Sequence, residues 1–177
     1  SSRLQPVISS MRASLYLMKL LKKAEINFIS CPTENIYLQG RQDTYPKRRG
    51  LTRVKELNDA GINVCFAQDS MSDPWYPLGN GNMMMILDHG IHICQMMSFQ
   101  EIDHALDLIT VNGAKTMHLQ DFYGIEEGKP ANFVVINAKS EFEAICERAG
   151  ILASVRNGEF LLQKEPEVLH TELEILK

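Results

Sequence analysis

Apolar residues recur at helical spacing through roughly the first two thirds of this chain, interrupted by short β-prone runs, and give way near the end to short strands with glycine turns. Residues 1–10 carry little pattern. From Arg12 to Ala24, Leu15, Met18 and Leu21 share one face with Leu20 beside them, which predicts a helix. A strand follows, Ile26-Asn27-Phe28-Ile29-Ser30-Cys31, and Pro32 stops it. Thr33 to Arg49, with Gly40 and Pro46, reads as a long loop at that strand's C-terminal end, and long loops in compact domains often carry function. Thr52 caps a second helix through Ala60, Gly61 ends it, and the strand Ile62–Ala67 begins at once. Strand, helix and strand at this spacing form a βαβ unit, and such units imply a parallel sheet with right-handed crossovers. Further on, Asn82–Met97 reads as a methionine-rich helix and Gln100–Met117 as another. The last third predicts strands at Asn132–Ile136, Leu152–Val155 and Phe160–Leu162, the last two joined at Asn157-Gly158.

Composition narrows the class without choosing a chemistry. A length of 177 residues predicts roughly one domain, and 45% hydrophobic with 23% charged residues is ordinary for a globular chain. The net charge of −4 argues against a nucleic-acid partner. The basic cluster Lys47-Arg48-Arg49, with Arg53 and Lys55, is local, and a solvated helix entrance outweighs a phosphate site. Cys31, Cys65, Cys94 and Cys146 are widely separated, so neither a zinc knuckle nor a disulfide framework is indicated, and a cytoplasmic location is expected. No apolar run approaches the ~20 residues of a membrane span, and the first residues lack a signal-peptide core.

The chemistry concentrates between Gly61 and Gly81. There the apolar strand delivers Gln68-Asp69-Ser70 to a loop rich in proline and glycine that carries Trp75, the only tryptophan. Asp69 falls at a strand's C-terminus, where active sites of parallel α/β sheets sit. From spacing alone a solvated acid or helix cap is an equal reading. Asp73, in Asp73-Pro74-Trp75, reads as a residue that rigidifies the loop more than as a substrate contact. His89 and His92 are spaced to share a helix face and could bind a metal, beside the more ordinary reading of two half-buried histidines on a packed helix.

The words around Asp69 carry more. Asn63-Val64-Cys65-Phe66, Asp69, Asp73-Pro74-Trp75-Tyr76-Pro77-Leu78-Gly79 and Asn82-Met83, with the upstream Leu38-Gln39-Gly40-Arg41 and Asp43-Thr44-Tyr45-Pro46-Lys47-Arg48-Arg49-Gly50, closely resemble bacterial cytosine deaminases of the amidohydrolase superfamily. The tail from Ile109 to Val135 resembles the same family, with Asn132 where the family most often has Asp.

The resemblance implies an α/β fold: the C-terminal part of a (β/α)8 barrel, its last two strands and helices in residues 1–120, and strands of a flanking β-sandwich in 121–177. It implies metal-dependent hydrolytic deamination of cytosine or a related amino-substituted heterocycle. One divalent transition metal, iron or zinc, is expected, with Asp69 as the ligand and catalytic acid/base from this chain and the other ligands outside it. Trp75 matches a tryptophan beside the substrate, where an indole offers a flat apolar wall, and Ser70 is the second expected substrate contact. Close relatives read His-Asp-Asp where this chain reads Gln68-Asp69-Ser70, which makes cytosine itself less secure than a related ring. None of the five histidines matches a family ligand, so the N-terminal part of the barrel is an expected partner, and a homo-oligomer stays open. Two other readings stand beside this one. The chain is then a remnant or binding module without bound metal, or an oligomerisation domain built on the Met83–Met97 helix.

Overall fold

The computed structural model describes residues 4–48 and 50–168. Its centre is a pair of parallel strands, β1 (Phe28–Ser30) and β2 (Val64–Phe66), in register Phe28 with Val64, Ile29 with Cys65 and Ser30 with Phe66. All three residues of β2 are buried, which is why this strand shows no alternation of apolar and polar positions. Burying Val64 and Phe66 contributes roughly 1.5–3 kcal/mol each. By contrast Ile29, at the middle of β1, is 57% exposed.

The chain divides into two compact units, Ser1–Asp121 and Phe122–Lys177. In the first, helix α1 (Leu4–Lys23) precedes β1 and begins well before the expected Arg12. Two basic residues, Lys22 and Lys23, sit in its last turn, where the carbonyl dipoles favour them. After β1 comes a correction. Pro32 does not open a loop; it is the first residue of α2 (Pro32–Leu38), where a missing N–H costs nothing and its fixed φ suits a helix. The expected loop is therefore shortened by six residues, Thr33 to Leu38.

Helix α3 (Val54–Asp59) fills the crossover, and it ends as foreseen at Gly61. Ile62 N donates to Leu57 O at 2.9 Å across a glycine with φ +69°. Part of the basic cluster stands at the entrance of this helix, as expected: Arg53 is its N-cap residue and Lys55 lies in its first turn. Arg48 closes a turn onto Asp43, with Nε to Oδ2 at 2.8 Å and Nη2 to Oδ1 at 2.7 Å, Arg53 pairs with Glu56, and Arg49 lies outside the described residues.

Helix α4 (Met83–Ile93) starts where expected because Asn82 Oδ1 accepts from Met84 N and Met85 N. It buries Ile86, Leu87, Gly90 and Ile91 and packs against α2 and β2. A Cβ at Gly90 would stand 2.5 Å from Phe66 Cε2, so the helix lies as close to the β2 aromatic ring as a backbone can. His89 Nδ1 lies 2.7 Å from Met85 O and His92 Nδ1 2.6 Å from Asp88 O, so each ring turns back on its own helix; His89 is half-buried, as the ordinary reading has it, whereas His92 is exposed.

The single helix expected over Gln100–Met117 is three pieces: α5 (Phe99–Ile102), a 3-10 turn (Ala105–Ile109) and α6 (Val111–Thr116). Ser98 opens α5 with a capping box shared with Glu101. Thr110 lies at φ −126°, ψ −91°, and its hydroxyl donates to Leu106 O at 2.6 Å; this local bond competes with the helical ladder and separates the turn from α6. Among the described residues no helix is long and apolar enough to cross a membrane.

The second unit is an antiparallel sheet in the order β3-β4-β5: β3 (Phe133–Ile136), β4 (Ile151–Arg156) and β5 (Glu159–Gln163). The β4–β5 turn is Asn157-Gly158, both with positive φ, 51° and 83°, as a two-residue hairpin turn requires. Asn132 Oδ1 accepts from Asn157 N at 2.7 Å, so the residue that departs from the family's aspartate fastens this turn with a bond either side chain could accept. A helix the sequence did not announce, α7 (Glu141–Cys146), lies between β3 and β4 and is capped by Ser140.

Candidate active site

The parallel pair fixes one end of the first unit. Ala67 N donates to Ser30 O at 2.9 Å, so the segments leaving β1 and β2 start side by side. Beyond that bond β2 delivers Gln68, Asp69 and Ser70, and β1 delivers Cys31 and the first turn of α2. The polar residues divide into two kinds. Gln68 and Ser70 are buried, at 7% and 8% exposure, while Asp69 between them is exposed. Asp69 takes φ +63°, a left-handed conformation uncommon outside glycine, and this local twist is what turns its carboxylate outward between two inward neighbours.

Asp69 borders an open cleft of about 510 Å³, lined also by Ile29, Cys31, Asn35, Gln39 and Thr52. It has no hydrogen-bonded partner among the described residues. Cys31 on the same cleft stays a thiol: burial raises its pKa above the ordinary range, and the Asp69, Glu34 and Cys65 side chains add to that.

The loop after Asp69 is held by its own hydrogen bonds. Asp73 Oδ1 accepts from Trp75 N and Tyr76 N, each at 2.9 Å, the rigidifying role expected of it. Ser72 Oγ donates to Gly79 O at 2.9 Å, and Gly81 N donates to Gln68 Oε1 at 3.3 Å, which ties the end of the loop back to its start. Trp75 is 64% exposed, and Tyr76 meets Tyr37 of α2 edge to face, with centroids 6.2 Å apart.

One functional candidate went unseen in the sequence. Glu34, in the first turn of α2, is 5% exposed. Burial pushes its carboxyl above the usual range, a hydrogen bond from the Ser70 hydroxyl pulls it back, and the Asp69 and Asp73 carboxylates push it further up. The available signal was Cys31-Pro32-Thr33-Glu34, with proline at the first helical position and an acid two residues later.

A metal can be tested against this donor set. Asp69 offers one exposed, unencumbered carboxylate, which suits a divalent cation. Among the described residues no group of three or more His, Cys, Asp or Glu could hold a metal ion, so these residues by themselves make no complete site.

Known proteins bear on the same residues. The fold superposes on 5-methylcytosine deaminase from Klebsiella pneumoniae, a structure liganded with 5-fluorocytosine, with a TM-score of 0.86 and 52% identity over 90% of this chain and 39% of that one. The chain is 33% identical over 112 residues to N-isopropylammelide isopropyl amidohydrolase of Pseudomonas sp. (63% of this chain, 28% of the relative). It is 28% identical over 153 residues to pterin deaminase of Rhizobium rhizogenes (84% of this chain, 34% of the relative). It spans about a third of the length of these proteins. Residues 17–160, from the latter half of α1 to β5, match the Amidohydrolase family, and the chain belongs to that family.

Proposed function

We propose that this chain is the C-terminal part of a hydrolytic deaminase acting on cytosine or a 5-substituted cytosine, with the rest of the barrel and its histidines lying outside it. The observation that carries the reading is the 52% identity to the 5-methylcytosine deaminase over a stretch that includes Asp69 at the end of a parallel strand. The other relatives named above also act on amino-substituted nitrogen rings by their names, which supports the reaction class more than the substrate.

Asp69 would be this chain's ligand to a divalent ion. Such an ion lowers the pKa of water to about 7 and so supplies hydroxide at neutral pH. Asp69 orients the attacking water and accepts its proton as the oxygen bonds to the ring carbon bearing the amine. The proton then passes to the amine, the C–N bond breaks, ammonia leaves, and a ring carbonyl remains. Trp75 offers the planar base an apolar face, and its exposure in this chain leaves that face open to a ligand. Ser70 hydrogen-bonds the ring edge without adding a charge.

The test is ammonia release from cytosine, 5-methylcytosine, a pterin and N-isopropylammelide by the metal-loaded holoenzyme that contains this chain. Turnover of the two pyrimidines well above the other rings is the expected result. Preference for the pterin or the ammelide would move the substrate assignment, and no ammonia from any of the four would sink the deaminase reading.

A further inference from the structure

Five polar side chains, Ser30, Thr33, Glu34, Gln68 and Ser70, are each more than nine-tenths buried at the end of the strand pair that carries Asp69. Four of their atoms, Ser30 Oγ, Thr33 Oγ1, Glu34 Oε2 and Gln68 Nε2, have no hydrogen-bond partner among the described residues. Buried polar atoms are nearly always paired, so four at one end of one small sheet call for a function. Glu34 stands out among them. It reaches the loop after β2 from the helix that follows β1, beside the Ser70 hydroxyl and in the field of Asp69 and Asp73. The sequence has serine at 70 where the resemblance expects a second acid, and Glu34 brings a carboxylate to the same place from the neighbouring element.

We propose that Glu34 is a positioning residue for Ser70: it accepts the Ser70 hydroxyl proton, leaving the lone pairs of that oxygen to receive an N–H of the bound ring. A hydroxyl has one proton and two acceptor sites, so committing the proton inward makes Ser70 an acceptor outward. The ligand edge selected is one that donates, such as an amidine N–H or an exocyclic amine, and a ring presenting only acceptors at that edge is disfavoured. Gln68 supports the arrangement: its carbonyl is held by Gly81 N, which leaves its amide N–H₂ as the donor on the same wall. The inference rests on the deaminase reading and names what that site's polar wall recognises.

The experiment measures kcat and KM for cytosine and 5-methylcytosine with the metal-loaded holoenzyme and its Glu34→Leu, Glu34→Gln, Ser70→Ala and Glu34→Leu/Ser70→Ala variants. Glu34→Leu should raise KM about tenfold with kcat within about twofold, and Glu34→Gln, which keeps an acceptor oxygen, should recover most of the loss. Adding Glu34→Leu to Ser70→Ala should raise KM no further, because the first residue acts through the second. Glu34→Met, of similar length and without an acceptor, gives the same reading should the leucine variant fail to fold. Unchanged KM in the apolar variants, or effects of positions 34 and 70 that multiply, overturns the proposal while leaving the deaminase reading standing. A wild-type holoenzyme inactive on both pyrimidines overturns both.

Discussion

The two ends of one strand pair treat their polar groups in opposite ways. At the N-terminal end, Asn63 Nδ2 is shared among Asn27 Oδ1 at 2.8 Å, Thr116 Oγ1 at 2.9 Å and Asn112 O at 3.2 Å. Thr116 Oγ1 passes a bond on to Asn112 O at 2.8 Å, and Asn112 Nδ2 donates to Val64 O at 2.9 Å. That network closes on itself and stitches α6 to both strands. At the C-terminal end the same sheet buries Ser30, Thr33, Glu34 and Gln68 with one unpaired atom each. An unpaired buried polar atom costs about 1–3 kcal/mol, so the second end is held together against its own preferences by the apolar core beneath it. One end is closed by its own hydrogen bonds and the other leaves polar atoms unmet, in keeping with the ligand-binding role proposed for it.

Asp69→Ala separates the two ends most sharply. In the holoenzyme it should lower kcat/KM on the order of 10³-fold or more, while circular dichroism melting of the metal-free protein moves little, because among the described residues the side chain has no hydrogen-bond partner to lose. A melting temperature that falls in step with activity would break the comparison. Asn63→Ala is the converse. It removes the hub of the closed network and leaves several groups unpaired, and should cost about 2–3 kcal/mol in denaturant unfolding, with KM for the remaining folded protein unchanged.

Smaller effects sharpen the picture. Asp73→Ala frees Trp75 N and Tyr76 N from their shared acceptor and should raise KM about fivefold by loosening the tryptophan loop; steady-state kinetics beside a melting curve would show whether the change is confined to binding. Glu34→Leu should act in the opposite sense on the fold, adding about 0.5–1 kcal/mol of stability by replacing a buried, half-satisfied acid with an apolar side chain. A loss of stability on that substitution would mean that the C-terminal end is as well satisfied as the other.

Much of this division was legible in the residues. The Ile62–Ala67 run, its end at Asp69, the start of a helix at Asn82 and the Asn157-Gly158 turn each follow from local chemistry that no distant contact overrides. Three features were hidden for physical reasons. Pro32 both stops a strand and starts a helix, and a sequence shows only the first. The break at Thr110 depends on a side-chain bond to Leu106 O that competes with helix formation, invisible to apolar periodicity. Glu34 could not be placed because charged residues are rarely buried, and its burial is decided by Ser70 and the loop after β2, thirty-six residues away in the chain. The resemblance filled the role of Asp69, which spacing alone left balanced against a cap.

The left-handed backbone at Asp69 works against the role proposed for its side chain. A left-handed conformation costs an ordinary residue about 1–2 kcal/mol and costs glycine little. Glycine would relax the turn, while asparagine, like aspartate, sits there more easily than most side chains. A lineage released from the reaction should lose its carboxylate here before it loses the strand beneath. On the role proposed for it, Asp69 stands where glycine would meet less backbone strain, so its carboxylate is held at a small conformational cost.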